Sequence, residues 1–150
     1  MKQSRAQQFY GEDRLPDTYE GRVEVLTLHM SVIMARLNDF GESGEILKQA
    51  LFDVMVYDFD DALRNEGLSD SGVSRRIKAI VRLFYTRLKS ITHGLHAKDI
   101  RAAFVDLPFD GVGDNAVDML EEYTTQLWQT LSSTDIDSIA DADFRFPAIN

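Results

Sequence analysis

The sequence contains no cysteine among its 150 residues. Disulfide bonds, thiolate metal ligands and a cysteine nucleophile are therefore excluded. Proline occurs three times and glycine nine times, so long disordered tracts rich in these residues are not expected. No run of about 18 uninterrupted apolar residues is present, and we predict no membrane-spanning helix. The first ten residues are mostly polar, so no secretory signal peptide is predicted.

Negative charge is unevenly distributed along the chain. The net charge is −9. Residues 1–98 carry 14 basic and 14 acidic side chains, whereas residues 99–150 carry two basic and 11 acidic ones. An acidic carboxyl-terminal third argues against nucleic-acid binding by that part, and solubility is its simplest interpretation.

Length and apolar spacing predict one all-α domain over residues 1–150, with a lead-in (1–16) and an acidic tail (134–150). Apolar residues recur at helical spacing, no stretch alternates convincingly, and the expected architecture is a bundle of five to six helices. The first predicted helix is apolar on two sides, which favours a central position. The tail is expected to pack back as a short helix and an extended segment. The helices are predicted at about residues 18–38, 45–66, 71 or 74 to 93 with Gly94 as the stop, 97–106 and 114–132.

His29 and a row of acids on the second predicted helix are the candidates for metal chemistry. His29 has no Glu-x-x-His partner, so a hydrogen-bonded structural histidine is the favoured interpretation. Two of the acids, Asp53 and Asp60, share a helix face, but they lie about 10.5 Å apart along its axis, too far for one ion. A helical metal- or cofactor-dependent enzyme using His29 and these acids remains an alternative. The row comprises Asp53, Asp58, Asp60 and Asp61.

The third predicted helix is basic, and no acid occurs between Asp70 and Asp99. Its cations are spread in sequence around much of the helix. Pairing with the acidic row of the second helix is favoured, with surplus positive charge left facing a partner. An RNA- or ribosome-contacting module through residues 74–93, or contact with anionic lipid headgroups, remains an alternative.

Known catalytic and nucleotide-binding motifs are absent from the sequence. Gly111-Val-Gly113 lacks the preceding strand and the remaining glycines of a nucleotide-binding loop, and no Gly-x-Ser-x-Gly turn occurs. We therefore expect a protein that is not an enzyme and has no cofactor.

An ordered series of short motifs resembles the ubiquinol–cytochrome c chaperone family. No single motif is specific, but their order and spacing over some 80 residues are. Residues 95–150 match more loosely. The motifs are Phe9-Tyr10, Leu15-Pro16-Asp17-Thr18, Gly21-Arg22, Leu28-His29, Gln49-Ala50-Leu51-Phe52-Asp53, Asp58-x-Asp60-x-x-Leu63-Arg64-x-x-Gly67, Ser69-Asp70-x-Gly72-Val73 and Phe84-Tyr85-x-Arg87.

This resemblance implies an all-helical fold and a non-catalytic role in assembling respiratory complex III. The implied partner is newly made cytochrome b or an early complex III intermediate, with a second assembly factor. The implied location is the bacterial cytoplasm, with peripheral contact at the inner membrane, or the mitochondrion in a eukaryote; nucleic-acid binding is disfavoured.

Such a chaperone must act by binding, and its contact surface is predicted from apolar and charged side chains. Met30, Met34 and Met55 suit an adaptable surface, although helical methionines are more often core. The predicted partner-binding residues are Tyr10, Arg22, Arg75, Arg76, Arg82 and Arg87.

Overall fold

A computed structural model describes residues 3–109 and 112–149, and within them four long α-helices form the fold. Short 3₁₀ turns connect or precede them at Gln3–Arg5, Gln7–Phe9, Asn38–Phe40 and Arg101–Ala103. The helices are α1 (Tyr19–Leu37), α2 (Gly41–Asn65), α3 (Asp70–Ala97) and α4 (Asp114–Ser132), followed by the five-residue α5 (Ile136–Ala140).

The predicted all-α class is confirmed, because the described ranges contain no extended strand. The predicted number of five to six helices is slightly too high, since four helices make up the bundle. Asp110 and Gly111, which belong to the predicted loop before α4 and to the Gly-Val-Gly motif, lie outside the described residues.

Helix α1 is the centre of the bundle, as its two apolar sides predict. It packs most extensively against α3 and also contacts α4 and α2. The helix begins where the Thr18 hydroxyl accepts a hydrogen bond from the Gly21 amide at 3.2 Å. This bond satisfies one of the four amides that a helix leaves unpaired at its start. A buried central helix explains why α1 is apolar around most of its circumference.

Helix α2 begins at Gly41, four residues earlier than predicted. Gly44 is buried against the end of α1, where a Cβ atom would come within 1.9 Å of the Leu37 carbonyl oxygen. The glycine pair that suggests a loop in the sequence therefore permits a tight helix-to-helix connection instead. Gly41 adopts a φ of +56°, which glycine tolerates without steric cost.

The predicted helix over residues 97–106 is wrong. Helix α3 does not stop at Gly94 but continues to Ala97, and Lys98 ends it in a left-handed conformation with a φ of +56°. The chain then folds back over Gly94, where a Cβ atom would lie 3.0 Å from the Ile100 Cα atom. Between Lys98 and Asp106, only Arg101–Ala103 is helical, and it forms a 3₁₀ turn.

Two groups of buried apolar side chains form the core. The larger joins α1, α4, the end of α3, the amino-terminal segment and the tail. The smaller lies between α1, α2 and α3, and consists of Met30, Met34, Met55 and Phe84. Helix α2 is the most peripheral of the four, since only three of its 25 residues are buried. No helix in the described ranges is long and apolar enough to cross a membrane.

The two ends of the chain meet at α1. Phe9 packs edge-on against His29, with ring centroids 5.6 Å apart, and Phe146 packs against the same imidazole at 5.6 Å. The tail therefore packs back through α5 and an extended segment, as expected from its apolar end.

Candidate functional site

His29 is a structural residue in the larger core. Its side chain is fully buried, its Nδ1 lies 2.7 Å from the Val25 carbonyl oxygen, and its Nε2 lies 2.7 Å from the Tyr123 hydroxyl. Burial lowers the pKa of His29 to about 4, because desolvation disfavours the charged imidazole. The imidazole is therefore neutral at physiological pH, and the structural interpretation from the sequence is confirmed.

Within the ranges that the structure describes, the acidic row of α2 does not pair with the bases of α3. Asp60 holds Arg64 of its own helix, Asp53 accepts a hydrogen bond from Gln49, and Asp61 accepts one from Asn65. Arg64 also contacts Asp70 at the start of α3. In this ion pair α2 supplies the base and α3 the acid, whereas the prediction was acids on α2 and bases on α3. Among the described residues, no three histidine or carboxylate side chains lie close enough to hold a metal ion.

The bases of α3 are sorted by their position around the helix rather than spread evenly. Arg75 and Arg82 are exposed and point away from α1, as do the nearby lysines of the same face. Arg76 instead turns toward α1, where it lies 3.8 Å from Glu20 and 5.5 Å above the Tyr19 ring. The predicted contact residues Arg75 and Arg82 thus share one outward surface, and Arg76 faces another.

Two of the predicted contact residues are not exposed. Arg87 is 7% exposed, forms an ion pair with the buried Glu24 of α1, and donates a hydrogen bond to the Ala103 carbonyl at 3.1 Å. Tyr10 is 8% exposed, and its hydroxyl donates to the Ser4 carbonyl. The expectation that they form surface contacts is wrong, because both side chains tie segments of the bundle together.

Arg22 lies at the mouth of a groove between α1 and α2. Its guanidinium contacts Asp17 at 2.8 Å, and this hydrogen bond lowers the pKa of the Asp17 carboxyl. About half of the Arg22 side chain is exposed, so its predicted partner contact stays a prediction that the geometry allows.

The groove itself, termed the α1–α2 groove, has a cavity volume of about 350 Å³. It exists because α2 leans on α1 through few buried residues, leaving their facing stripes partly apart. The amino-terminal 3₁₀ turn, through Ser4 and Arg5, borders one side. Its apolar lining comprises Val23, Leu26, Met30, Leu51, Val54, Met55, Phe59 and Ala62.

The methionines fit both interpretations given by the sequence. Met30, Met34 and Met55 are all buried in the smaller core. Met30 and Met55 also line the α1–α2 groove, whereas Met34 does not. Flexible thioether side chains at the base of an open groove can repack around different apolar ligands.

The apolar lining continues onto the solvent-facing side of α2. Ile46, Val54 and Tyr57 are 66%, 58% and 72% exposed. Together with Ala50 they lie at i, i+4, i+8 and i+11, and therefore on one helix face. Acids flank this surface, with Asp58 and Glu66 in the groove lining and Asp61 on the outer side.

This surface is not predicted from the sequence, because Val54 belongs to the apolar pattern of α2 and is therefore predicted to face the core. The sequence does contain one indication of this exposed surface. The apolar residues of α2 cover more of the helix circumference than a single core-facing stripe requires. A broad apolar face predicts either a central helix or an unpartnered surface, and periodicity cannot separate the two.

A second depression, of about 400 Å³, lies on the outer face of α4. Its lining is polar and acidic, with Asp118, Glu121 and Glu122 beside Thr125 and glutamines. It is open to solvent and lacks the apolar base that would retain a ligand, so the α1–α2 groove is the stronger candidate.

Comparison with protein families finds that residues 12–146 match the family described as Ubiquinol-cytochrome C chaperone. Among solved structures, the chain is similar to the crystal structure of the Cbp3 homolog from Brucella abortus. The two share 29% sequence identity with a TM-score of 0.77, over 97% of this chain and 83% of that one. Comparison with curated protein sequences gives no match.

Proposed function

The chain belongs to the ubiquinol–cytochrome c chaperone family, and we propose that it is a non-enzymatic assembly chaperone that binds newly made cytochrome b during assembly of the cytochrome bc complex (complex III). Similarity to the Cbp3 homolog over 97% of this chain supports this role. Two further partners are proposed, an early complex III intermediate and a second assembly factor.

The observation that carries the proposal is the α1–α2 groove with its exposed apolar extension. In a bundle of this size, apolar side chains as large as Ile46, Val54 and Tyr57 are left in water on a single helix. Contiguous exposed apolar surface of this kind marks interaction sites. A groove between two helices suits an apolar helical segment of a partner, which would cover both its base and its rim.

Acidic side chains around the groove narrow the chemistry of that segment. Asp58 and Asp61 form no ion pair within the described ranges, and Glu66 also lines the groove. A partner segment with an apolar face and basic flanking residues would be complementary in both respects. In membrane proteins, apolar helices are typically followed by loops rich in lysine and arginine on the cytoplasmic side. The proposed client, cytochrome b, is a membrane protein and would offer segments of this composition.

We also propose that residues 1–150 form a single domain. The supporting contact is the meeting of Phe9 and Phe146 on the His29 ring, which joins the lead-in, the central helix and the tail. Client binding at the α1–α2 groove then involves the whole bundle rather than a separable part.

The test is affinity capture of the tagged protein from gently solubilised membranes of its source cells. Val54→Glu should lower recovery of cytochrome b by roughly tenfold or more, because it places an unpaired charge against an apolar ligand. Val105→Glu is the matched control, since Val105 is equally exposed (63%) and does not line the groove. Recovered cytochrome b is quantified by mass spectrometry.

Three outcomes are informative. Loss with Val54→Glu and retention with Val105→Glu support both the function and the site. Equal recovery by the two variants would remove the groove as the client site while keeping the function. No recovery of cytochrome b by the wild-type protein, from cells that make complex III, would contradict the proposed function.

A further inference from the structure

Helix α3 presents a line of cations to solvent. Arg75, Lys78, Arg82 and Lys89 are exposed, and at 100° per residue they fall within an arc of about 60°. The line runs about 21 Å along the helix at 1.5 Å per residue. His93 and His96 continue it on the same face. These four cations are termed the cationic stripe.

The charges of the cationic stripe are left unpaired by the described residues. None of its four members forms an ion pair within the described part of the chain. The other two arginines of α3 behave differently, since Arg76 turns toward Glu20 and Arg87 is buried against Glu24. Two of the arginines of α3 thus contact carboxylates of α1, whereas the side chains of the stripe are exposed to solvent.

Three carboxylates of α4 are paired elsewhere, within the described residues, and not with the stripe. The buried face of α3 packs on α1, and α4 packs on α1 as well. The stripe lies on the face of α3 opposite to the buried residues that pack on α1. Asp118 and Glu121 are held by Arg101. A molecule of net charge −9 therefore has one face that is locally positive.

An exposed aromatic residue borders the stripe. Tyr85 is 55% exposed, and its ring lies 5.7 Å from Phe52 of α2. Tyrosine has an apolar ring and a polar hydroxyl, and it is enriched at the boundary between water and lipid. The cationic stripe, with Tyr85 beside it, is complementary to a planar anionic surface.

We propose that the cationic stripe of α3 binds the surface of an anionic lipid bilayer. A bilayer is favoured over duplex nucleic acid because a helix in a groove about 12 Å wide meets phosphates on both flanks. One flank of α3 is bordered by Asp60 of α2 and Asp70 of α3, both held by Arg64, and these carboxylates would face the phosphates. A plane touches only the outermost face, where the stripe lies. Single-stranded nucleic acid needs several stacking aromatics, and this face offers one.

This surface is distinct from the α1–α2 groove and extends the proposed function. Contact through the stripe would hold the protein at the membrane while the groove stays open to a client. The two sites are tested separately, because vesicle binding needs no client.

The experiment measures co-sedimentation of the full chain with vesicles of phosphatidylcholine containing roughly a third of phosphatidylglycerol. Each cation near such a surface contributes a factor of about five to binding. Arg75→Gln with Arg82→Gln should therefore weaken binding about 30-fold. Arg76→Gln with Arg145→Gln is the matched control, because it removes the same charge from positions off the stripe and should leave binding nearly unchanged.

Binding that requires phosphatidylglycerol, falls with added salt and is lost only in the stripe variant supports the proposal. Equal binding to pure phosphatidylcholine vesicles, or equal weakening in both double variants, would overturn it. A single-stranded RNA bound through the stripe, with no binding to the anionic vesicles, would also overturn it in favour of a nucleic-acid partner. Thermal unfolding of both double variants checks that the fold is retained.

Discussion

His29 is buried and has a structural role rather than a catalytic one. The residue is one of three histidines in the chain, and titration near neutral pH makes histidine a frequent catalytic residue. Here both ring nitrogens are already hydrogen-bonded, to Val25 and Tyr123, and Phe9 and Phe146 cover the ring. The imidazole contributes by staying neutral, so its effect should be visible in stability rather than in activity.

The pH dependence of stability should reveal this role. The pKa of His29 is lowered from 6.5 to about 4 in the folded protein. The unfolded state therefore binds more protons between these values, and stability is lost as the pH falls from about 6.5 toward 4. Between about pH 7.5 and about pH 5, the wild type should lose about 2 kcal/mol more than His29→Gln. Urea unfolding of both proteins at the two pH values measures the difference.

Parallel stability curves for the wild type and His29→Gln would contradict the prediction. Comparison with the variant is necessary because Glu24 also titrates abnormally. Burial raises the pKa of its carboxyl, and Arg87 only partly opposes this. Glu24 is present in both proteins, so its contribution cancels in the difference.

Glu24 and Arg87 show how a charged residue can be structural. Their ion pair connects α1 to α3 in the interior, and Arg87 also reaches the Ala103 carbonyl. Removing one partner of a buried pair leaves an uncompensated charge and costs about 3–5 kcal/mol. A loss of binding in an Arg87 variant would therefore report unfolding before it reported contact with a partner.

At the scale of elements, α1 and α3 begin with the same capping pattern in different surroundings. Thr18 caps α1 through the Gly21 amide, and Ser69 caps α3 through the Gly72 amide, at 3.2 and 3.3 Å. In both, glycine occupies the third helical position. The local hydrogen bonds match, so any difference between the two glycines comes from tertiary packing.

Alanine at these two glycines should have opposite effects. A Cβ atom at Gly21 would lie 2.1 Å from the Pro16 carbonyl oxygen, so Gly21→Ala should cost about 2–3 kcal/mol. The nearest atom to a Cβ at Gly72 is the Ser69 hydroxyl at 3.4 Å, so Gly72→Ala should stabilise by about 0.5–1 kcal/mol. Chemical denaturation of both variants measures the changes. A similar effect at the two positions would show that Pro16 does not hold its place against α1.

At the scale of the whole molecule, two different surfaces are left available on one bundle. Helix α2 offers exposed apolar side chains bordered by acids, and α3 offers the cationic stripe. These faces of α2 and α3 are exposed because both helices bury their opposite faces against the central helix α1. A chaperone that acts by binding needs such surfaces to persist in the folded state, and the central helix supplies the stability that permits it.

Deleting the gene should lower complex III and leave the other respiratory complexes near their normal amounts. The physical reason is that newly made cytochrome b would lose a partner covering its apolar segments before assembly. Spectroscopic quantification of the complexes in membranes measures the effect. The wild-type gene and Val105→Glu should restore complex III, and Val54→Glu should not. Normal complex III in the deletion strain would refute the assembly role.

The sequence by itself determined the helical class, the family and the central position of α1, because these depend on apolar periodicity and on an ordered series of short motifs. It also indicated that His29 is structural, from missing partners at ligand spacing. The ends of the helices were predicted less well, because glycine in a sequence usually indicates the end of a helix, whereas Gly44 and Gly94 lie within α2 and α3. Only the close approach of Leu37 and Ile100 shows that these glycines make room for a neighbouring chain.

Tertiary structure alone decided which side chains are available to a partner. Arg75, Arg76 and Arg87 are the same residue type on the same helix, and yet one is exposed, one meets Glu20 and one is buried. Val54 and Met55 are adjacent, and yet the first faces solvent while the second is core. Periodicity reports that a helix has an apolar face, but exposure depends on which neighbouring helix covers that face. Which faces are covered depends on how the helices pack in the bundle. This packing leaves the α1–α2 groove open and the cationic stripe of α3 exposed.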